Sequence, residues 1–195
     1  MSLRQLLAAP GIHFLATRFA PAAVRRAAFD EKYRLRQWGK EKEHSADLRA
    51  VLLKHLRQGD LLLLGCGAAS ILENLDKEGM NSAIGVDLSA EALRIAKQYE
   101  SKAIRFVQAD MLQFETSDRF DVIMFSESLY YVPAAQQGAF LHRLLSNLKA
   151  GGVFLVTLAQ PARYHAILEM IRKEFTVLED RPLASSSRHM IVFRP

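Results

Sequence analysis

The stretch LLLLGCGAAS, residues 61–70, decides the fold of this 195-residue chain. Its four consecutive leucines predict a short strand that is buried on both faces, as in a parallel sheet covered by helices. The turn Gly65-Cys66-Gly67 follows, and its small residues let a ligand approach the backbone where a helix begins. A strand that leads into such a turn is typical of α/β proteins that bind nucleoside-containing cofactors.

Short apolar runs recur along the rest of the chain, and amphipathic stretches that favour helix separate most of them. The predicted strands are 61–64, 82–87, 103–108, 120–126, 153–158, 175–179 and 188–193. The predicted helices are 68–78, 89–99, 134–149, which the glycines at 151 and 152 should end, and 162–174. The last two strands are too close in sequence for a crossover helix and should pair antiparallel. The pattern predicts an α/β fold with a Rossmann-like, doubly wound seven-stranded sheet, mostly parallel, with one antiparallel strand near its edge and helices on both faces.

Residues 1–59 differ from the rest of the chain in charge. They hold 12 Lys/Arg against 5 Asp/Glu, whereas residues 60–195 hold 14 against 16. The pattern predicts an N-terminal helical cap or lid, 1–59, on a near-neutral domain, 60–195. This distribution makes nucleic acid an unlikely partner. A signal peptide or membrane-surface helix at the start is a weaker alternative, because Pro10, His13 and Arg18 interrupt the apolar stretch.

The numbers of cysteines and histidines limit the disulfides and metal sites that the chain can form. Cys66 is the only cysteine, so the chain forms no internal disulfide and builds no zinc site from several thiolates. The six histidines lack the spacing of metal ligands. We therefore expect a cytoplasmic protein without a bound metal.

Acidic residues end the second and third predicted strands. Asp87 lies 20 residues after Gly67, a position from which a carboxylate accepts hydrogen bonds from two ribose hydroxyls. Asp110 follows the third strand. Together they predict a nucleoside cofactor at the carboxyl ends of the strands. A dinucleotide is disfavoured, because Ser70 stands where its fingerprint has a glycine.

Five blocks in this order resemble the class I S-adenosylmethionine-dependent methyltransferases. They are LLLLGCGAAS (61–70), AIGVDLS (83–89), VQADM (107–111), FDVIMFSESLYYV (120–132) and LKAGGVFLVT (148–157). The resemblance covers about residues 60–195 and implies S-adenosylmethionine as the cofactor. The residues expected to bind it are Trp38, Gly65, Cys66, Gly67, Asp87, Leu88, Asp110, Met111 and Ser126.

The resemblance also implies a part of the cofactor for most of these residues. The two glycines of the turn would line its methionyl part, and Asp87 would bind the ribose. Leu88 would pack on the adenine, Asp110 would accept from the adenine amino group, and Met111 would lie beside the ring.

The chain departs from the family pattern at two positions. Leu63 stands where the family usually has an acidic residue, and Glu127 or Glu73 is a possible substitute for that acid. Ala69 stands where a third glycine is common, a change that is mild if φ of Ala69 is negative.

Upstream, FDEKYRLRQWGK (29–40) resembles the segment before the first strand in several bacterial small-molecule and sugar methyltransferases. By this likeness Tyr33, Trp38 and Lys40 are lid candidates, and Arg34 or Arg36 is a candidate to meet a carboxylate. Alternatively, the two aromatic rings only pack the cap on the domain, and the arginines stay solvated.

The fourth predicted strand ends in Ser126-Glu127-Ser128-Leu129-Tyr130-Tyr131, which resembles a segment of nodulation-type N-methyltransferases. We expect Glu127 to orient the acceptor or take its proton, and Tyr130 and Tyr131 to wall the pocket; these three are the candidate catalytic residues. Alternatively, Glu127 binds the cofactor's ammonium group and the tyrosines belong to the core.

These observations predict an enzyme that methylates N or O of a small-molecule or saccharide-like acceptor. A second hypothesis is a non-catalytic or weakly active cofactor-binding or regulatory protein on the same scaffold, suggested by Leu63 and Ala69. An RNA methyltransferase that uses the basic N-terminal face is a third and weaker hypothesis.

Overall fold

One seven-stranded sheet organises the described residues, 17, 20–38, 46–184 and 187–195, of this computed structural model. The strands are β1 (Asp60–Leu64), β2 (Ser82–Asp87), β3 (Ile104–Gln108), β4 (Phe120–Ser126), β5 (Leu148–Leu158), β6 (Thr176–Pro182) and β7 (His189–Arg194). Their order is β3-β2-β1-β4-β5-β7-β6, and β7 runs antiparallel to both of its neighbours. The predicted sheet, with one antiparallel strand near its edge, is confirmed.

Helices cover both faces of this sheet. They are α1 (Ala22–Arg34), α2 (Ala46–Leu56), α3 (Leu75–Glu78), α4 (Ala90–Ala96), α5 (Gln137–Arg143) and α6 (His165–Glu174). The leucines of β1 alternate between two core clusters, because successive side chains of a strand point to opposite faces. Leu61 and Leu63 pack with α2 on one face, and Leu62 and Leu64 belong to the cluster that includes α5 and α6 on the other. Within the described part of the chain, no helix is both long and apolar enough to cross a membrane.

The two helices of the predicted cap have different surroundings. Helix α2 contributes Leu48, Leu52 and Leu56 to the core beneath the sheet, whereas α1 lies against α4. Asp30 of α1 accepts hydrogen bonds from Ser89 Oγ (2.6 Å) and from the backbone N–H of Glu91 (3.2 Å). The division into segments 1–59 and 60–195 stays a prediction.

The predicted helix 68–78 is wrong in its continuity. The segment forms a 3₁₀ turn at Ser70–Leu72 and the single turn of α3. Ala69 and Asn74 adopt φ values of +54° and +59°, which break a right-handed helix. The condition under which alanine would be a mild change at position 69, a negative φ, is therefore not met. A left-handed conformation costs a residue with a Cβ on the order of 1–2 kcal/mol.

The predicted helix 134–149 and its glycine stop also need correction. Helix α5 ends at Arg143, a 3₁₀ turn follows, and β5 begins at Leu148. Leu148 is buried and pairs with Phe120 of β4, so the chain enters the sheet before it reaches the glycines. Gly152 lies inside β5 at a position that requires a glycine, because a Cβ there would come within 2.9 Å of the Phe120 carbonyl oxygen.

Candidate functional site

A cavity of about 350 Å³ opens at the carboxyl ends of the central strands, with α1 along one side. It lies where the chain order of the strands reverses around β1, the usual ligand position in such sheets. Its lining includes every residue expected above to bind the cofactor or act in catalysis: Trp38, Gly65, Cys66, Gly67, Asp87, Leu88, Asp110, Met111, Ser126, Glu127, Tyr130 and Tyr131. The structure therefore gathers these residues at one site, and the role of each stays a prediction.

The turn after β1 requires its glycines for both conformation and space. Gly65 and Gly67 have φ values of +69° and +55°. A Cβ on Gly65 would lie 2.5 Å from Cβ of Ser128, and a Cβ on Gly67 would lie 2.6 Å from the Tyr33 hydroxyl. Ser128 Oγ also donates to the Leu64 carbonyl oxygen (2.6 Å), which ties the ends of β4 and β1 together. The turn is thus packed between β4 and α1.

Asp87 is held by the backbone on both sides. Its Oδ2 accepts from the N–H of Gly67 (2.7 Å), and its Oδ1 accepts from the N–H of Ser89 (2.8 Å). Burial raises the pKa of Asp87 to about 6, and the nearby carboxylate of Asp30 adds to this rise. An ionised carboxylate has about four acceptor positions, so Asp87 retains capacity for two ribose hydroxyls.

Asp110 is paired with a residue that sequence reasoning missed. Its Oδ1 accepts from the N–H of Leu112 (3.1 Å), and its Oδ2 forms an ion pair with the guanidinium of Arg25. Arg25, Phe29 and Tyr33 all line the cavity from α1. Their spacing of four residues places the three side chains on one helix face, and this pattern could have identified Arg25 as a site residue from the sequence.

Glu127 occupies a constrained position after β4. Its φ is +57°, and its backbone N–H donates to Thr157 Oγ1 (3.2 Å). Its Oε2 accepts from the N–H of Ala159, and its Oε1 lies 3.6 Å from Nε of Arg188. Arg188 also lines the cavity and was not foreseen from the sequence. These contacts direct the Glu127 carboxylate and a guanidinium to the same part of the site.

Tyr130 and Tyr131 line the cavity as neutral phenols. Burial raises the pKa of both hydroxyls well above the ordinary value of 10. Tyr130 stacks on Tyr164 with ring centroids 4.4 Å apart, and Tyr131 meets the edge of Phe29 at 5.1 Å. Neither tyrosine is suited to accept a proton at neutral pH. Both are better suited to donate hydrogen bonds and to form walls of the cavity.

The lid candidates divide into two groups. Tyr33 and Trp38 line the cavity and meet edge to face, with ring centroids 5.7 Å apart. Arg34 instead donates to Glu91 of α4 (3.0 Å), and Arg36 is exposed outside the cavity. Lys40 lies outside the described residues.

At the position of β1 where the family usually has an acid, the side chain of Leu63 is fully buried and lines the cavity. Of the two candidate substitutes, Glu73 is exposed and does not line the cavity, whereas Glu127 does. Asp60 lies at the opposite end of β1, where it accepts from Ser82 Oγ (2.6 Å). Among the residues whose placement is described, no three His, Cys, Asp or Glu side chains form a candidate metal site.

Comparison with known proteins agrees with this geometry. Residues 61–152 match the family model of a methyltransferase domain. The chain is 28% identical to nodulation protein S of Sinorhizobium fredii over 131 residues, 66% of this chain and 60% of that protein. It is 38% identical to the trans-aconitate 2-methyltransferase of an Enterobacter species over 98 residues, 50% of this chain and 38% of that protein. The solved structure of N-methyltransferase NodS from Bradyrhizobium japonicum, in complex with S-adenosyl-L-homocysteine, matches with a TM-score of 0.65 and 20% identity, covering 85% of this chain and 97% of that one.

The fold is that of the class I S-adenosylmethionine-dependent methyltransferases. The resemblance predicted from the sequence, and S-adenosylmethionine as the cofactor that it implies, are confirmed: residues 61–152 match a methyltransferase domain, and a solved structure of the same fold is a complex with S-adenosyl-L-homocysteine. The match spans 60% of the length of nodulation protein S and 38% of the length of the trans-aconitate 2-methyltransferase.

Proposed function

We propose that the protein transfers the methyl group of S-adenosylmethionine to an N or O atom of a small-molecule acceptor. The observation that carries this proposal is that acidic residues line one cavity on both sides of β1. Asp87 ends β2 and Asp110 follows β3 on one side of that strand, and Glu127 follows β4 on the other. A nucleoside held on the first side directs the reactive end of the cofactor across the glycine turn toward Glu127.

The residues present fit the cofactor. Asp87 has acceptor capacity left for the ribose hydroxyls, and the backbone of the glycine turn lines the cavity beside it. S-adenosylmethionine, when bound, supplies a methyl group activated by its sulfonium. Much of the rate of such an in-line transfer comes from holding the reacting atoms in position. The aromatic walls, Tyr130, Tyr131 and Phe29, are suited to that positioning.

Glu127 is the group best placed to orient an N–H or O–H acceptor and take its proton. Its carboxylate is fixed by Ala159 and lies near Arg188. The high pKa of Tyr130 and Tyr131 leaves them as hydrogen-bond donors. The acceptor is compact, because α1 closes one side of the cavity. The relative named as a trans-aconitate 2-methyltransferase supports a small acceptor, and the neighbour named as an N-methyltransferase supports nitrogen as one candidate for the attacked atom.

A second candidate function is cofactor binding without turnover. Leu63 in place of an acid and Ala69 at positive φ both favour it. The test is an acceptor panel of amines, hydroxy compounds, saccharides and carboxylic acids, with release of S-adenosylhomocysteine as the readout. Turnover of one class establishes the enzyme. Tight cofactor binding with no turnover across the panel supports the second candidate, and absence of cofactor binding removes both.

A further inference from the structure

Arg25 presents a buried donor to the cavity. Its Nη2 donates to Asp110 Oδ2, while its Nε is buried and meets no acceptor within the part of the chain that the structure describes. Buried donors are nearly always hydrogen-bonded in native proteins, so a buried donor left over at a cavity wall is available to a ligand that supplies an acceptor. The Nε–H of Arg25 therefore indicates a ligand with an acceptor at this point.

The partner of Arg25 has the complementary capacity. Asp110 accepts from the N–H of Leu112 and from Arg25. About two of its four acceptor positions remain. The spare donor on Arg25 and the spare acceptor capacity on Asp110 therefore belong to one ion pair that lines the cavity. Adenine presents the matching pair on one edge, since its amino group donates and the adjacent ring nitrogen accepts.

We propose that Arg25 and Asp110 together read this edge of adenine, with Arg25 Nε donating to a ring nitrogen while Asp110 accepts from the amino group. The inference rests on the proposed function, because it takes the adenine of S-adenosylmethionine to lie beside Asp110. It adds a base-specificity residue that comes from α1. Hypoxanthine presents a carbonyl and a ring N–H on the same edge, so the pair discriminates against it.

Residues other than Arg25 also dock α1 on the domain. The helix is already held on α4 by Asp30, which accepts from Ser89 Oγ, and by Arg34, which pairs with Glu91. Those two residues share a different face of α1 from Arg25, Phe29 and Tyr33.

Calorimetric titration of the full chain with S-adenosylhomocysteine and S-inosylhomocysteine tests the proposal, since the two ligands differ only in the base. Wild type should bind the adenosyl compound at least about tenfold more tightly. Arg25→Met should weaken that binding by about tenfold and narrow the preference between the ligands. Arg25→Lys, which keeps a cation for Asp110 but lacks the forked donor, should also narrow it. Arg26→Met, at an exposed neighbour on the same helix, should match wild type.

The alternative outcomes are distinct. Equal losses for both ligands in Arg25→Met would assign Arg25 a purely structural role and overturn the proposal. Unchanged affinity would overturn it, as would tighter adenosyl binding, which would mean that Arg25 obstructs Asp110. A wild type that binds both ligands equally also contradicts the inference but leaves the proposed function standing. A wild type that binds neither contradicts the proposed function itself. Thermal unfolding of each variant identifies any loss that comes from misfolding.

Discussion

The backbone N–H of Gly67 donates a 2.7 Å hydrogen bond to Asp87 Oδ2, so the acid that ends β2 holds the turn that follows β1. Because the same carboxylate is the predicted ribose ligand, cofactor recognition and the shape of the turn depend on one side chain. Tyr33 of α1 contacts this turn from the other side. The site is thus assembled from two neighbouring parallel strands and one cap helix.

Replacement of Asp87 should weaken cofactor binding. Asp87→Ala removes the acceptor for the ribose hydroxyls and should cost about 1.5–3 kcal/mol of binding free energy. The measurement is calorimetric titration with S-adenosylmethionine. Glu115→Ala, at an exposed acid with no cavity contact, is the control and should bind like wild type. An unchanged dissociation constant for Asp87→Ala would overturn the ribose assignment.

Cofactor affinity should depend on pH through Asp87. Burial raises the pKa of this carboxyl from 3.8 to about 6 in the unliganded protein, and ribose hydroxyls donate best to the ionised form. Affinity should therefore fall as pH drops below about 6, by about tenfold per pH unit. Asp87→Asn should bind more weakly and lose most of this dependence between pH 5 and 7. Equal slopes in both proteins would place the titrating group elsewhere.

The raised pKa of Asp87 affects folding stability in the opposite direction: stability should fall, and not rise, as pH increases. Because the folded pKa lies above the unfolded value, Asp87 contributes stability that is fully present below about pH 4. That contribution is lost as pH rises through about 6. Urea unfolding of the unliganded protein at pH 4, 5, 6 and 7 measures it. Asp87→Asn should lose less stability over this interval than wild type; a loss of the same size would contradict the assignment.

Glu127→Gln should separate the two roles open to this carboxylate. If Glu127 takes the acceptor's proton, kcat should fall by about 10²–10⁴-fold while the cofactor dissociation constant stays near that of wild type. If Glu127 replaces the acid missing at Leu63 and binds the ammonium group, the dissociation constant should rise instead. Glu73→Gln, at the exposed alternative, is the matched control and should change neither quantity. No effect of Glu127→Gln on either quantity would exclude both roles.

The approach of Tyr33 to Gly67 predicts a partial rescue. Gly67→Ala places a Cβ where φ is +55° and within 2.6 Å of the Tyr33 hydroxyl, so it should lower both Tm and cofactor affinity. Adding Tyr33→Phe removes the oxygen but not the backbone strain, so part of the loss should return. Additive effects in the double variant would show that the cap helix does not contact the turn in solution.

Local sequence patterns were enough to predict the sheet and twelve of the residues that line the cavity. The leucines of β1, the glycine turn and Asp87 depend on strand periodicity and on the common edge at which parallel strands end. Arg188 could not be predicted, because the β6–β7 hairpin brings it to Glu127 from a distant part of the chain. Arg25 was within reach, since it lies four residues before Phe29 on one helix face.

The errors in helix boundaries have a different cause. Ala69 and Asn74 adopt left-handed backbone conformations without the glycine that marks such positions most clearly, so the break at 68–78 left only the weak signal of an asparagine in the sequence. Gly151 and Gly152 resembled a helix stop, but the pairing of Leu148 with Phe120 begins the strand earlier. In both cases tertiary contacts override local preference.

The most direct test of the central claim is calorimetric titration of the purified protein with S-adenosylmethionine and S-adenosylhomocysteine, with NAD as the control ligand. The structure predicts micromolar binding of the first two and none of NAD, because Asp87 and the glycine turn fit one nucleoside and the dinucleotide fingerprint is incomplete at Ser70. Absence of binding by either sulfur compound, in protein shown to be folded, would contradict the account.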